Sequence, residues 1–259
     1  MTEGPVADNA EPILRLRGVG RRYGGLHAVR DVDLDVAHGE RRAILGPNGA
    51  GKTTLFNVIS GDVRPSSGTI RFLGGEVGTL PPRARAKLGM GRTYQKSRSF
   101  LGLSVVDNIY LALLGVQTGH FRPVVLRKRD GELRERAVEL AGAVGLRDRH
   151  TTLVGSLSHG EQRQLEVAMA RASNPQLMML DEPASGLSRG ERVALTELLL
   201  SLDTSITLIL IEHDMDVALR VADRVTMMHD GRVIVEGTPD EIRANQTVHD
   251  LYLGRHGGE

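Results

Sequence analysis

Apolar and polar positions alternate along this chain with two different periods, and the switches between them divide it into segments. Residues 13–19 alternate as a strand does, ending at Arg21-Arg22-Tyr23-Gly24-Gly25. Val32, Leu34 and Val36 interleave with Asp31, Asp33 and Asp35, the period-2 pattern of a strand with one face in water. A short apolar run, Ala43-Ile44-Leu45, comes next; Pro65-Ser66-Ser67-Gly68 predicts a turn and residues 69–73 another strand. From 105 to about 145 the apolar spacing becomes helical, with charge-rich stretches such as 127–136, so residues 95–172 read as a mostly helical insert. Strand-helix alternation then returns: strand 177–180, helix 189–202, strand 205–211, helix 215–222. Residues 225–229 and 232–236 flank Asp230-Gly231, a hairpin signal because both turn positions need positive φ. Gly237-Thr238-Pro239 opens short terminal helices, and no internal repeat is found. The pattern as a whole predicts an α/β protein.

The junction after Ala43-Ile44-Leu45 carries the most specific chemistry. Gly46-Pro47-Asn48-Gly49-Ala50-Gly51-Lys52-Thr53-Thr54 lies between that run and a helix-compatible segment at 55–60. Strand, glycine-rich loop and helix form the context in which Gly-x-x-x-x-Gly-Lys-Thr cradles phosphate. The glycines let successive N–H groups turn inward, and the new helix adds its positive end to the same spot. Lys52 would reach the β- and γ-phosphates, and the Thr53 hydroxyl would take a place on Mg²⁺. A turn that merely joined two elements would not call for Lys-Thr directly after its last glycine.

Composition narrows the setting. The 259 residues suffice for one large domain or two modest ones. Lys plus Arg number 33 and Asp plus Glu 32, so the basic excess with which nucleic-acid binders displace counterions is missing. The absence of cysteine excludes disulfides, thiolate metal sites and a Cys nucleophile. No apolar run approaches the ~20 residues that cross a bilayer. Residues 1–11 are polar and acidic; they resemble no targeting segment and read as a flexible lead-in. The expected place is cytoplasmic, with membrane attachment through another protein.

Further candidates surround the loop. Leu177-Met178-Met179-Leu180-Asp181-Glu182 is an apolar strand ending in two carboxylates, and ligands of α/β sheets bind at the carboxyl ends of strands. Asp181 would hold Mg²⁺, directly or through water, and Glu182 would polarise the attacking water. His213 closes another strand and is placed for a γ-phosphate contact. Tyr23 is one of eight Phe and Tyr residues in a chain without Trp: either a stacking platform for adenine or a packed core residue. Gln95, within Tyr94-Gln95-Lys96, says little alone. In Leu157-Ser158-His159-Gly160-Glu161-Gln162, Ser158 and Gly160 sit where an N-cap hydroxyl and helix-terminal N–H groups could bind an anion.

Taken together, these stretches resemble the nucleotide-binding subunit of ATP-binding-cassette (ABC) transporters over nearly the whole chain. The motifs are the loop 46–54, Gln95, the signature 157–162, the strand 177–182 and His213, in that order. The resemblance implies a RecA-like P-loop NTPase core with an antiparallel β subdomain and a helical subdomain. Residues 12–94 and 173–259 would form the core, the β subdomain and the C-terminal helices, and 95–172 the helical subdomain. It implies ATP and Mg²⁺ as cofactors, with Thr53, Gln95 and Asp181 around the metal and Lys52, Glu182, His213 and Gln95 as the catalytic set. Two such units close head to tail on two ATP molecules, so Ser158 and Gly160 would contact the γ-phosphate bound by the sister subunit. A single copy implies pairing with itself or with a related subunit. Tyr23 matches the adenine-stacking position and Gln95 the coupling glutamine. His159 and Glu161 stand where the signature usually has Gly and Gln, and Ser188 where Asp or Asn is frequent after Gly186-Leu187.

A narrower likeness lies in Gly91-Arg92-Thr93-Tyr94-Gln95, Ile211-Glu212-His213-Asp214-Met215-Asp216, Glu236-Gly237-Thr238-Pro239 and Leu251-Tyr252-Leu253-Gly254. These are similar to the ATPases of importers for branched-chain and other hydrophobic amino acids. They imply a peripheral ATPase on the cytoplasmic side of the membrane, working with transmembrane permease subunits and an extracytoplasmic solute-binding protein, and no nucleic acid. Importers of urea or amides, exporters or lipid transporters, and soluble cassette ATPases are the alternatives. Phe100, Leu101 and Leu103 would face the permease or pack within the helical subdomain.

Overall fold

The computed structural model describes residues 11–93, 99–116 and 123–253. Residues 1–10 of the expected lead-in and Gln95 lie outside the described residues.

The chain opens with β1 (Leu14–Tyr23) and β2 (Leu26–Val36), paired antiparallel. In β2 the aspartates point to solvent while Val29, Val32, Leu34 and Val36 are buried, the one-sided burial that alternation predicts. β3 (Arg41–Leu45) runs into the glycine-rich loop and α1 (Lys52–Ser60). β4 (Ser67–Phe72) returns to pair antiparallel with β1, and β5 (Gly75–Glu76) completes a four-stranded sheet of order β2-β1-β4-β5. α2 (Pro82–Lys87) and β6 (Met90–Arg92) lead to the helices α3 (Val105–Val116), α4 (Pro123–Ala143) and α5 (His159–Arg171). β7 (Leu177–Asp181), α6 (Arg189–Leu200), β8 (Thr207–Ile211) and α7 (Met215–Val221) restore the alternation. The hairpin β9 (Arg224–His229) and β10 (Arg232–Gly237) follows, then α8 (Pro239–Ala244) and α9 (Gln246–Leu253).

A second, six-stranded sheet has the order β10-β9-β3-β8-β7-β6, parallel except for the β9–β10 hairpin. Its central strands β7 and β8 are buried at every position, as a parallel sheet covered on both faces requires. On one face α1 sits between the two sheets: Leu55, Phe56 and Ile59 pack with Leu16, Val32 and Ile70 of the antiparallel sheet and with Leu177, Met179 and Ile209 of the parallel one. On the other face Met178 and Leu180 join Ile109 of α3, Leu140 of α4, Leu165 of α5 and Leu195 of α6. The strand period of 2 thus divides β7 between two cores. Among the described residues no helix is long and apolar enough to cross a membrane.

Two short elements carry no periodic signal in the sequence. β6 adds a parallel edge strand beside β7, and α2 delivers Arg85 to the end of α1. Arg85 is buried and donates to the carbonyls of Val58 and Ile59 in the last turn of α1, and to those of Leu80 and Gly78 in the chain just before α2. Burial pushes its pKa down to about 10.

Candidate functional site

The parallel strands bring the candidate residues to one edge. Ile44 of β3 and Asp181 of β7 both stand in register with Ile211 of β8, so the three strands end at one level. From that level emerge the loop before α1, the Asp181-Glu182 pair and Glu212-His213, the position at which α/β sheets bind ligands.

The loop has the conformation a phosphate seat needs. Gly46, Gly49 and Gly51 have φ of +152°, +83° and +96°. Gly51 is the N-cap of α1 and no side chain caps the helix, so its first N–H groups remain open to an anion. Close packing adds a second demand for glycine: a Cβ on Gly46 would collide with the Met228 carbonyl, and one on Gly51 with the Ala28 carbonyl. The loop is held from outside as well, since Gly231 N–H donates to the Ala50 carbonyl at 3.0 Å and Arg30 N–H to the Gly231 carbonyl at 2.7 Å. The hairpin turn Asp230-Gly231, with φ of +48° and +78° as its sequence predicts, is therefore a brace for the loop.

A groove of about 370 Å³ opens over this loop, lined by residues 48–54, Glu182, Leu26, His27, Ala28, Arg30, Asp230 and Gly231. Lys52 is only 5% exposed, and burial lowers its pKa while Glu182 and Asp181 act in the opposite direction. Its ammonium donates to the carbonyls of Gly46 and Pro47 at 2.7 and 3.1 Å. Glu182 is half-buried with φ of +47°, and its N–H donates to the Ile211 carbonyl at 2.9 Å. That bond ties a strained position to the neighbouring strand.

Asp181 is buried, and burial raises its pKa, with Arg92 opposing. Its N–H donates to the Thr93 hydroxyl at 3.3 Å, while its Oδ1 is buried with no hydrogen-bond partner among the described residues. A buried carboxylate oxygen left unmatched beside an open phosphate seat is what a magnesium ligand requires. Among the described residues no cluster of three or more His, Asp or Glu side chains could hold a metal. A cation here would therefore share its shell between Thr53, Asp181 and phosphate oxygens, as Mg²⁺ does at nucleotide sites.

Tyr23, His213, Ser158 and Gly160 do not line the groove. Tyr23 is 45% exposed, with the Arg21 guanidinium 4.4 Å from its ring centroid. The His213 side chain is 56% exposed, Nδ1 3.9 Å from Glu212 Oε2. Ser158 caps α5, its hydroxyl accepting the Glu161 N–H at 3.2 Å, and the Gly160 N–H donates to Glu191 Oε1 at 2.9 Å. Neither lines the Lys52 groove.

Several residues of the site escape sequence reasoning. Leu26, His27, Ala28 and Arg30 come from the antiparallel sheet and reach the loop only through the tertiary fold. Glu212 is fully buried, and its carboxylate accepts the N–H of Ala184 at 2.8 Å and of His213 at 3.2 Å. It thereby fixes the turn after Glu182 to the end of β8, and burial raises its pKa. A carboxylate directly after an unbroken apolar strand was the available signal.

Comparison with known proteins agrees with this geometry. Residues 29–185 match the model of the ABC transporter family, and residues 232–257 match the model described as branched-chain amino acid ATP-binding cassette transporter. The high-affinity branched-chain amino acid transport ATP-binding protein LivG of Salmonella typhimurium is 36% identical over 252 residues, covering 95% of this chain and 99% of the relative. BraF of Pseudomonas aeruginosa, which carries the same description, is also 36% identical over 252 residues, covering 95% of this chain and 99% of the relative. The ADP conformation of MJ1267, an ATP-binding cassette of an ABC transporter, superposes with a TM-score of 0.82 at 26% identity, covering 93% of this chain and 98% of that one. By fold, by motif order and by these likenesses, the chain belongs to the ATP-binding proteins of ABC transporters.

Proposed function

We propose that this chain is the ATP-hydrolysing subunit of an ABC importer for branched-chain or other hydrophobic amino acids. The observation that carries the ATPase reading is one groove lined by both the open N-terminus of α1 with Lys52 and the carboxylate of Glu182. The cargo rests on the likeness to LivG and BraF, which extends through the C-terminal segment.

The N–H groups of residues 49–54 and the Lys52 ammonium bind the phosphates, and Tyr23 stacks on adenine. Glu182, at the carboxyl end of β7, takes the proton of the attacking water, and His213 and Gln95 complete the γ-phosphate surroundings. Thr53, Asp181 and Gln95 hold Mg²⁺, which supplies charge neutralisation at the phosphates. Ser158 and Gly160 serve the ATP of a sister subunit, so the working unit is a dimer. Residues 95–172 form the helical subdomain that meets the permease. The apolar side chains of Phe100 and Leu101, 58% and 56% exposed, support a docking face there. The chain then works as a peripheral protein on the cytoplasmic side, beside transmembrane permease subunits and a solute-binding protein.

The test is to isolate the complex from membranes, reconstitute it in vesicles with its solute-binding protein, and measure ATP-dependent uptake of radiolabelled leucine, isoleucine and valine. Uptake that depends on ATP supports the reading. Hydrolysis stimulated by urea or an amide, or outward movement of lipid, replaces the cargo and leaves the ATPase assignment standing.

A further inference from the structure

Glu191 lies in the first turn of α6 and touches two helix ends at once. Its Oε2 accepts the Ser188 N–H at 3.0 Å, one half of the capping box of its own helix, and also the Ser188 hydroxyl at 2.8 Å. Its Oε1 turns to another element and accepts the Gly160 N–H at 2.9 Å, 31 residues away in sequence. Together these donors, Gly160 first, bring its pKa down to about 2. The positive ends of α5 and α6 thus converge on one negative charge. A Cβ on Gly160 would lie 2.8 Å from Glu191 Cγ, so glycine is what permits the approach.

Ser158 and Gly160 are the two groups that the proposed closed dimer offers to the γ-phosphate of the sister subunit. We propose that Glu191 is an internal anion seated where that phosphate arrives, a positioning residue that holds the signature turn until ATP displaces it. The inference rests on the two-subunit site described under Proposed function. Carboxylate and phosphoryl oxygens compete for the Gly160 N–H, so closure exchanges one anion for the other at that donor. The ATP concentration at which the dimer forms is then set in part by how firmly Glu191 is held.

The experiment measures ATP-dependent dimerisation of the full-length Glu182→Gln chain by analytical ultracentrifugation over a range of Mg-ATP, with and without Glu191→Gln. Glutamine keeps the size and an acceptor oxygen and removes the charge. The midpoint is expected to fall at least about threefold, the direction set by removing a competing anion, while the melting temperature of the nucleotide-free chain does not rise. A bracket with a purely structural role would leave the midpoint unchanged or raise it, and either result overturns the proposal. Ser188→Gly removes one anchor of the carboxylate at little cost to the N-cap. It is expected to lower the midpoint as well, and it decides the matter should Glu191→Gln not fold; no fall there overturns the proposal. A parent that stays monomeric with Mg-ATP defeats the two-subunit reading and this inference together. A parent that dimerises with an unmoved midpoint in the double variant defeats only this inference.

Discussion

The Lys52 ammonium donates to the Gly46 carbonyl at 2.7 Å, so the cation folds back over the loop that presents it. A buried cation resting on neutral carbonyls is poised to exchange them for phosphate oxygens, which bind it more strongly. Lys52→Ala is expected to weaken ATP binding at least tenfold, because charge-assisted hydrogen bonds contribute about 1.5–3 kcal/mol each. Titration with a fluorescent ATP analogue reads this directly. Unchanged affinity would remove the phosphate-seat assignment.

Glu182 is held with φ of +47° by its N–H bond to Ile211. Glu182→Gln keeps the shape and loses the base, so steady-state hydrolysis is expected to drop by about 10²–10⁴ while ATP still binds. Near wild-type turnover in a protein that binds ATP would exclude Glu182 as the base.

Gly49 and Gly51 separate two demands on the loop. Both have positive φ, but a Cβ on Gly49 meets open space whereas one on Gly51 meets the Ala28 carbonyl. Gly51→Ala is expected to cost about 1–3 kcal/mol, lowering Tm by roughly 2–12 °C. Gly49→Ala should cost less. Thermal melting of the two variants checks the order, and equal losses would mean that backbone strain alone governs the loop.

Glu212 is a buried acid whose pKa is raised by burial. The folded state therefore holds that proton more tightly than the unfolded chain, so the stability linked to it is present below about pH 4.5 and is lost as pH rises through the raised value. Glu212→Gln removes this dependence, so its Tm relative to wild type should climb with pH from 4.5 upward. Glu212→Ala instead orphans the N–H groups of Ala184 and His213 and is expected to cost about 1–3 kcal/mol at any pH. Melting curves from pH 4 to 8 distinguish the two; parallel curves for Gln and wild type would contradict the raised pKa of Glu212.

Much of the fold is legible because burial leaves a periodic trace. β2 shows its wet face in three alternating aspartates, and β7 and β8 show burial on both faces as unbroken apolar runs. β6 and α2, with 3 and 6 residues, are too short to hold a period, and their places follow from pairing with β7 and from the reach of Arg85. The expected helix 189–202 ends at Leu200 and the expected strand 205–211 starts at Thr207, where no strong local signal fixes the boundary.

The amino-acid order alone determined the phosphate loop, the acidic strand end and the hairpin turn, because each depends on backbone torsions and side chains within a few residues of one another. Tertiary structure alone decided that Ala28 and Gly231 press on that loop, that Glu212 braces the turn beyond Glu182, and that Glu191 faces Gly160. Those contacts join groups far apart along the chain, and their partners become neighbours only when two sheets and the helices between them bury a common apolar interior.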